Sequence, residues 1–211
     1  MAEKDIHQPP KLLEGDFVRL ELLTLNHLSD LEADFEPRLF DYYPKPYSTA
    51  REFVEENLEM QKSGTFIPFA IVHKALGQAI GCTEFSGIDE KNRKLEIGGS
   101  WIKLVFQGSP ANSEAKYLLL SHVFENLEYV RVQFTANALN AQSRAGIEGI
   151  GGKFEGILRN VMILPDGKLR DDAYYSVVLQ EWPQTKSLLG KRIETKAFQF
   201  QRATVQIPEF F

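Results

Sequence analysis

The chain has 211 residues, of which 43% are hydrophobic and 25% are charged, and its net charge at pH 7 is −5. This length and composition fit one globular domain and exclude a largely disordered chain. A single cysteine, Cys82, excludes an internal disulfide framework, and the four scattered histidines suggest no metal site. The acidic balance disfavours nucleic acid as the main partner. Because no apolar stretch resembles a membrane span or a secretory leader, we expect a cytoplasmic protein without membrane contact.

The first half of the chain predicts two helices followed by an antiparallel meander. Residues 1–12 are expected to form an N-terminal arm, with a loose segment to about residue 14, and a strand should follow from Phe17 to Leu22. Thr24 is a candidate cap for a short helix, and the capping box Thr49-Ala50-Arg51-Glu52 predicts a second helix to about Lys62. Short polar turns then separate three predicted antiparallel strands at 66–73, 79–88 and 94–103.

The second half predicts a crossover followed by a hairpin. A loop at 107–113 leads into an apolar-periodic helix with a buried stripe at Ala115, Leu118, Leu119, Val123 and Leu127. A strand at 130–136 should lie parallel to the strand at 94–103, and a helix should follow from Ala141 to about Ile150. Strands at 154–163 and 173–180 should pair around Pro165-Asp166-Gly167. We place the domain at residues 13–183 and treat 184–211 as a C-terminal extension of ambiguous structure.

The loop at 107–113 is the strongest candidate binding element. A helix start presents unpaired N–H groups and a partial positive charge, and glycine lets an anion approach them closely. The amides of Gly108, Ser109, Ala111, Asn112 and Ser113 are candidate donors, whereas Pro110 has no N–H. The alternative is a plain loop capped by Ser113. The spacing is neither a P-loop nor a dinucleotide fingerprint.

Three blocks of sequence carry a recognisable set of motifs. The first block comprises Glu96-Ile97-Gly98, Trp101, Gln107-Gly108, Asn112 and Glu114-Ala115-Lys116. The second comprises Arg131-Val132, Ala138-Leu139-Asn140, Ser143-Arg144 and Gly151. The third comprises Glu155 to Arg159, Leu164 to Gly167 and Arg170-Asp171. Together these blocks resemble the GNAT N-acetyltransferases, most closely the RimJ/RimL-like branch that acetylates ribosomal-protein N-termini. Their order and spacing make the resemblance specific over about residues 13–183.

The resemblance implies an α/β (α+β) fold: a mixed, mostly antiparallel sheet of six to seven strands flanked by helices. It also implies a V-shaped splay between the fourth and fifth strands, into which the pantetheine arm of acetyl-CoA enters. The implied activity is N-acetyl transfer from acetyl-CoA to a primary amine, either a peptide N-terminus or a small molecule, by direct attack in a ternary complex.

The resemblance also implies roles for particular residues. Gln107 and the amides of 108–113 would hold the pyrophosphate, and the strand segment Ser100, Trp101, Ile102 and Lys103 would pair with pantetheine. Asn140, Ser143 and Arg144 would contact the cofactor, with Asn140 and Ser143 also in catalysis and Ser143 assisting the departing thiolate. Trp101 has core packing as its alternative role, and Ser143 has helix capping.

An amine must lose a proton before it attacks, so a general base is expected. Glu96 is the first candidate, Glu84 the second and Asp171 the third, although a strand glutamate is more often simply solvated or ion-paired. The aromatic loop from Tyr42 to Tyr47 is a candidate acceptor lid, or a proline-rich surface loop with packed aromatics.

Three departures from the family pattern suggest a second hypothesis, a catalytically silent acyl-CoA-binding module. Ile147 stands where many relatives carry a tyrosine acid, Pro110 replaces a glycine, and Gly152 replaces a phenylalanine. A third hypothesis concerns the C-terminal extension. Its aromatic residues suggest self-association into a homo-oligomer, or docking on the same chain; they are Phe198, Phe200, Phe210 and Phe211.

Overall fold

The structure is a computed structural model that describes residue 10 and residues 12–205, with side chains to residue 202. Eight strands form one sheet: β1 Leu12–Glu14, β2 Val18–Leu22, β3 Ile67–His73, β4 Gln78–Asp89, β5 Lys94–Ile102, β6 Arg131–Asn137, β7 Lys153–Ile163 and β8 Leu169–Val178. The α-helices are α1 Leu28–Glu32, α2 Ala50–Gln61, α3 Ala111–Ser121, α4 Ala141–Gly149 and α5 Trp182–Val205. The predicted mixed fold is confirmed, with one strand more than the six to seven expected.

The strand order is β1-β2-β3-β4-β5-β6-β8-β7, and every neighbouring pair is antiparallel except β5 with β6. That parallel pair confirms the crossover predicted between 94 and 136. Its pairing covers only Lys94 to Glu96 against Arg131 to Gln133, although β5 continues to Ile102 and β6 to Asn137. The two strands therefore stop pairing after three residues, and beyond Glu96 the edge of β5 that faces β6 has no neighbouring strand. This is the splay that the resemblance implies.

The segment predicted as a loose arm to about residue 14 contains a strand. Residues Leu12 to Glu14 pair antiparallel with Arg19 to Glu21. The turn between β1 and β2 is held by the carboxylate of Glu114, which accepts hydrogen bonds from the amides of Asp16, Phe17 and Val18 at 2.8, 2.7 and 2.6 Å. The interpretation as a loose arm was wrong for these residues because the stabilising acceptor lies almost a hundred positions away in the chain.

The sheet has an apolar core on each face. Along β3, Phe69 and Ile71 belong to one core cluster, and Ala70 and Val72 belong to the other, as alternation along a strand requires. The first cluster includes the buried residues of α3, and the second includes those of α1 and α2. The stripe predicted for the α3 region is buried except for Leu118, which is partly buried.

The C-terminal extension continues the fold as α5, which packs against α3. Leu189 is fully buried, and the indole N–H of Trp182 donates to Glu125 Oε1 at 2.6 Å. The described part of the extension therefore docks on the same chain, although Phe198 remains 61% exposed. Phe210 and Phe211 lie outside the described residues. Within the described part of the chain, no helix combines the length and apolarity needed to cross a bilayer.

Candidate active site

The loop before α3 presents a cluster of free amides. Gly108 has a φ of +82°, a conformation that favours glycine, and it turns the chain into the helix. The amides of Ser109 and Ala111 are already used, since they donate to Phe106 O and to Ser109 Oγ. Among the described residues, no acceptor faces the amides of Gly108, Asn112 or Ser113. Three of the five predicted donors are therefore available to an anion.

Helix α3 begins at Ala111, so Ser113 lies in its first turn and does not cap it. The cap position is taken by Pro110, with φ −68° and ψ −14°. This φ is within the range that the proline ring imposes, and the ψ is that of ordinary helical backbone. The replacement of the family glycine by Pro110 therefore introduces no backbone strain here.

The first turn of α4 lies beside this loop. The side chain of Gln142 donates to Gln107 Oε1 at 3.3 Å, and Gln107 Nε2 donates to Ile102 O at 3.3 Å. Asn140 caps α4, because its Oδ1 accepts from the amide of Ser143 at 2.9 Å. Two helix N-termini, with their partial positive charges, thus face the same region next to the free edge of β5.

The segment from Ser100 to Lys103 offers main chain rather than side chains to that opening. The Trp101 ring lies in an aromatic cluster, with its centroid 5.5 to 6.0 Å from those of Phe35, Phe40 and Phe53. Ile102 is buried in the core, and Lys103 Nζ donates to Asp30 O at 2.5 Å. The amide of Lys103 is also used, because it donates to Ile80 O at 2.9 Å.

Two candidate bases lie close together at the bend of β5. A Cβ built on Gly98 would lie 3.2 Å from Glu84 Oε1 and 3.7 Å from Glu96 Oε1. Burial, reinforced by the negative charge of Glu96, raises the pKa of Glu84 to about 7. Glu96 Oε2 instead accepts a hydrogen bond from Gln133 Nε2 at 2.9 Å. A carboxyl group with the raised pKa of Glu84 is suited to exchanging protons near neutral pH.

Lys116 is the member of this cluster that the sequence analysis did not assign to the site. Its side chain is 5% exposed, and its Nζ donates to Thr83 Oγ1 at 2.9 Å and to Ser100 Oγ. Burial lowers the pKa of Lys116 to about 7, against a smaller opposing effect of Glu84. The signal was present in the sequence, because Lys116 lies one and two helical turns before the buried Leu120 and Val123.

The third candidate base, Asp171, has a local role in the β7–β8 hairpin. Its Oδ1 accepts from the amide of Asn160 at 2.8 Å, and Asn160 has a positive φ of 55°. Beside it, a buried ion pair joins Arg170 and Asp172 at 2.6 Å.

The aromatic loop at residues 42–47 is tied to this hairpin. Arg170 donates to Tyr42 O at 2.9 Å. The Tyr43 and Tyr47 rings pack on Phe40, at centroid distances of 4.8 and 5.2 Å, while Tyr42 is 43% exposed. The packed-aromatic interpretation therefore holds for two of the three tyrosines, and Tyr42 remains available at the surface.

The remaining predicted residues lie on α4. The guanidinium of Arg144 donates to Tyr175 OH at 3.0 Å and to Ala138 O at 3.2 Å, which engages it within the protein. Ile147 is buried, and a Cβ on Gly152 would approach Ile147 Cγ2 to 2.6 Å. Ile147 on α4 and Gly152 just after it, two of the departures from the family pattern, are thus packed against each other.

Comparison with known proteins defines the class that this fold and site represent. A family model for the acetyltransferase (GNAT) domain matches residues 18–153, and the chain belongs to that family. It is 36% identical over 110 residues to the "Putative ribosomal N-acetyltransferase YdaF" of Bacillus subtilis, a match that spans 52% of this chain and 59% of that protein.

Solved structures show the same fold. A GCN5-related N-acetyltransferase from Brucella melitensis superposes with a TM-score of 0.80 at 32% identity, covering 87% of this chain and 86% of that one. Mycobacterium smegmatis RimJ, solved with CoA-disulfide, superposes at 0.68 with 20% identity over 82% of this chain and 88% of its own, which shows the fold alone. The predicted GNAT family and the acyltransferase class are confirmed, and the similarity to YdaF agrees with the predicted RimJ/RimL-like resemblance.

Proposed function

We propose that this protein transfers the acetyl group of acetyl-CoA to a primary amine, a peptide N-terminus or a small molecule, by direct attack in a ternary complex. The observation that carries the proposal is the pairing of free amides at Gly108, Asn112 and Ser113 with an unpaired β5 edge beyond Glu96. A diphosphate needs clustered donors, and a peptide-like arm needs a free strand edge. The residues present therefore fit CoA.

When bound, acetyl-CoA would supply the activated acyl group and a thiolate leaving group. The amides of Gly108, Asn112 and Ser113 would hold its diphosphate, assisted by the helix dipole of α3. The main chain of Ser100 to Ile102 would pair with the pantetheine arm, and an N–H there would stabilise the charge that develops on the carbonyl oxygen.

Glu84 would act as the general base. With its pKa near 7, this carboxyl group is partly ionised at neutral pH and can accept the proton that the attacking amine loses. Glu96 would assist indirectly, because its negative charge keeps the pKa of Glu84 high. The sequence analysis ranked these two residues in the opposite order, since burial cannot be read from a strand's pattern alone.

Ser143 would donate a hydrogen bond to the departing sulfur. Its amide is fixed by the Asn140 cap, and its hydroxyl forms no hydrogen bond within the described residues. Asn140 would then be a positioning residue that holds the first turn of α4 in place. In this arrangement the position of Ile147, where relatives carry a tyrosine, is filled by core packing and takes no part in proton transfer.

The acceptor would approach between the aromatic loop at residues 42–47 and the β7–β8 hairpin, which the contact between Arg170 and Tyr42 O joins. YdaF is described as a ribosomal N-acetyltransferase, which supports a protein N-terminus as the first acceptor to test. A small amine remains the other candidate.

Two of the three departures that suggested the silent-module hypothesis, Pro110 and Gly152, are accommodated without strain or an empty space. Pro110 adopts its φ of −68° without strain, and Ile147 fills the space that Gly152 leaves. A free-thiol assay with acetyl-CoA and a panel of peptide N-termini and small amines tests the choice. Turnover that falls more than tenfold in Glu84→Gln supports the proposal, with Glu59→Gln as an exposed control. CoA binding without thiol release for any amine would establish the silent module instead.

A further inference from the structure

An open cleft of about 330 Å³ lies on α5, close to the loop that carries the free amides. It is lined by Lys191, Arg192, Thr195, Lys196 and Gln199. Lys196 Nζ donates to the carbonyl oxygen of Gly108 at 3.2 Å, which fixes the cleft beside the predicted diphosphate site. A segment that follows the recognised family domain thus borders the cofactor region directly.

The cations of this cleft have no partner carboxylate in the part of the chain that the structure describes. Among the described residues, Lys191, Arg192 and Lys196 form no ion pair with a carboxylate, and the buried Nε of Arg192 has no hydrogen-bond acceptor. Burial and the nearby positive charge of Arg192 lower the pKa of Lys196. Three uncompensated cations in a protein of net charge −5 indicate a site for an anion.

The position of Arg192 is set by the end of α4. A Cβ on Gly149 would lie 2.9 Å from Arg192 Nη1, so the guanidinium group packs against the glycine in the last turn of that helix. The glycine leaves room for this contact, and the partial negative charge of a helix C-terminus favours a cation there. Arg192 is therefore held in place before any ligand arrives.

The amide loop and the cleft supply different kinds of donor. Residues 104–115 contain no lysine or arginine, so the loop can offer a diphosphate neutral hydrogen-bond donors and a helix dipole but no positively charged side chain. The two cations predicted to contact the cofactor are engaged within the protein, Arg144 with Tyr175 and Ala138 and Lys103 with Asp30 O. A phosphomonoester carries nearly two negative charges at pH 7 and is bound best by lysine and arginine. CoA carries such a group on its ribose, apart from the diphosphate.

On the basis of the proposed function, we infer that Lys191, Arg192 and Lys196 of α5 bind the ribose 3′-phosphate of CoA. The C-terminal helix would then select the phosphorylated cofactor over dephospho-CoA. The loop at 108–113 would bind both forms alike through the diphosphate, so the two parts of the site would make separable contributions to affinity.

Calorimetry with CoA and with dephospho-CoA tests this division. The unaltered protein should bind CoA at least tenfold more tightly than dephospho-CoA. The double variant Lys191→Ala/Arg192→Ala should lose most of this preference while its affinity for dephospho-CoA changes less than twofold. The charge reversal Lys191→Glu, at an exposed position, should reduce the preference without disturbing the contact of Arg192 with Gly149. The matched control is Lys186→Ala, on the same helix but paired with Glu125, and this variant should keep the full preference for CoA over dephospho-CoA.

Equal affinities of the unaltered protein for the two cofactors would overturn the inference and leave the proposed function intact. Equal weakening of both cofactors in the variants would also overturn it, because the cations would then contact the diphosphate. Failure of the unaltered protein to bind either cofactor would refute the proposed function itself, and the inference with it.

Discussion

The carboxylate of Glu84 lies where a Cβ on Gly99 would stand. Gly99 has a φ of +53°, so both its conformation and its missing side chain are needed for Glu84 to lie across β5. The carboxyl groups of Glu84 and Glu96 both lie close to the neighbouring Gly98, which has no side chain to separate them. The bend of β5 is therefore what places a carboxyl group of raised pKa at the mouth of the splay.

We expect Gly99→Ala to reduce both stability and activity. The new methyl group would collide with the Glu84 carboxylate, and the left-handed backbone would add strain, at a combined cost above about 2 kcal/mol of unfolding free energy. Gly77→Ala is the matched control, since Gly77 has a φ of +66° but open space around it. Its cost should be about 1 kcal/mol with unchanged turnover. Denaturant unfolding and the thiol assay measure both, and equal effects of the two variants would contradict the collision.

The dependence of kcat/KM on pH should report the ionisation of Glu84. The raised pKa of about 7 means that Glu84, if it is the base as proposed, is protonated and inactive below this pH and becomes active above it. As the pH is raised, kcat/KM should therefore increase with an inflection near pH 7. The ionisation of the acceptor amine should add a second, separate inflection. In Glu84→Gln this inflection should vanish while that of the amine stays. If the inflection near pH 7 persisted in Glu84→Gln, it would have to arise from a group other than Glu84.

Two neighbouring charges should move this inflection in opposite directions. Glu96→Gln removes a negative charge that raises the pKa of Glu84, so the inflection should shift to lower pH. Lys116→Met removes a positive charge that lowers it, so the inflection should shift to higher pH. Because the pKa of Lys116 is itself about 7, the second variant also discriminates between the two groups. Disappearance of the inflection in Lys116→Met would identify the lysine as the titrating group.

Removing the charge of Glu114 should destabilise the protein. Glu114 is 4% exposed and accepts three backbone hydrogen bonds from the β1–β2 turn, so Glu114→Gln should lower the unfolding free energy by about 2 kcal/mol. The control Glu59→Gln changes a carboxylate that is 71% exposed and should cost less than about 0.5 kcal/mol. Chemical denaturation of both variants makes the comparison, and indistinguishable midpoints would show that the turn does not depend on the carboxylate.

Self-association through the C-terminal extension stays a prediction. The 61% exposure of Phe198 on α5 leaves an aromatic ring at the surface, where burial against a second copy would be favourable. If the extension mediates an oligomer, Phe198→Ser should lower the sedimenting mass relative to the unaltered chain. Identical monomeric masses for the two proteins would remove the idea.

The elements that local patterns specify could be predicted closely. The capping box at Thr49 fixes the start of α2 at Ala50, and the Pro165-Asp166-Gly167 turn pairs β7 with β8, because these signals act over a few residues. Strand β1 was missed because its stability depends on Glu114 in α3. Helix α5 could not be predicted because its apolar residues are buried by packing against α3, a contact that the local sequence does not reveal.

In the candidate site, too, features set by local sequence could be predicted, and features set by tertiary contacts could not. The loop at 107–113 could be located from sequence, because glycine and short polar residues mark helix starts. The capping alternative given for Ser143 was wrong, because Asn140 caps α4 and Ser143 lies in its first turn. The order of the two bases could not be predicted, since the pKa of Glu84 depends on burial between strands and on charges from β5 and α3. The cations of α5 were also missed, because their proximity to Gly108 arises only when the C-terminal helix docks.

The clasp of Glu114 around the β1–β2 turn has a practical consequence for work with this protein. Glu114 belongs to the same first helical turn as Asn112 and Ser113, so the edge hairpin and the amides proposed to bind the diphosphate share one anchor. We expect a bulky affinity tag or fusion partner attached ahead of residue 12 to strain that anchor. A loss of cofactor affinity after amino-terminal tagging would then reflect a displaced helix start and not a damaged catalytic centre.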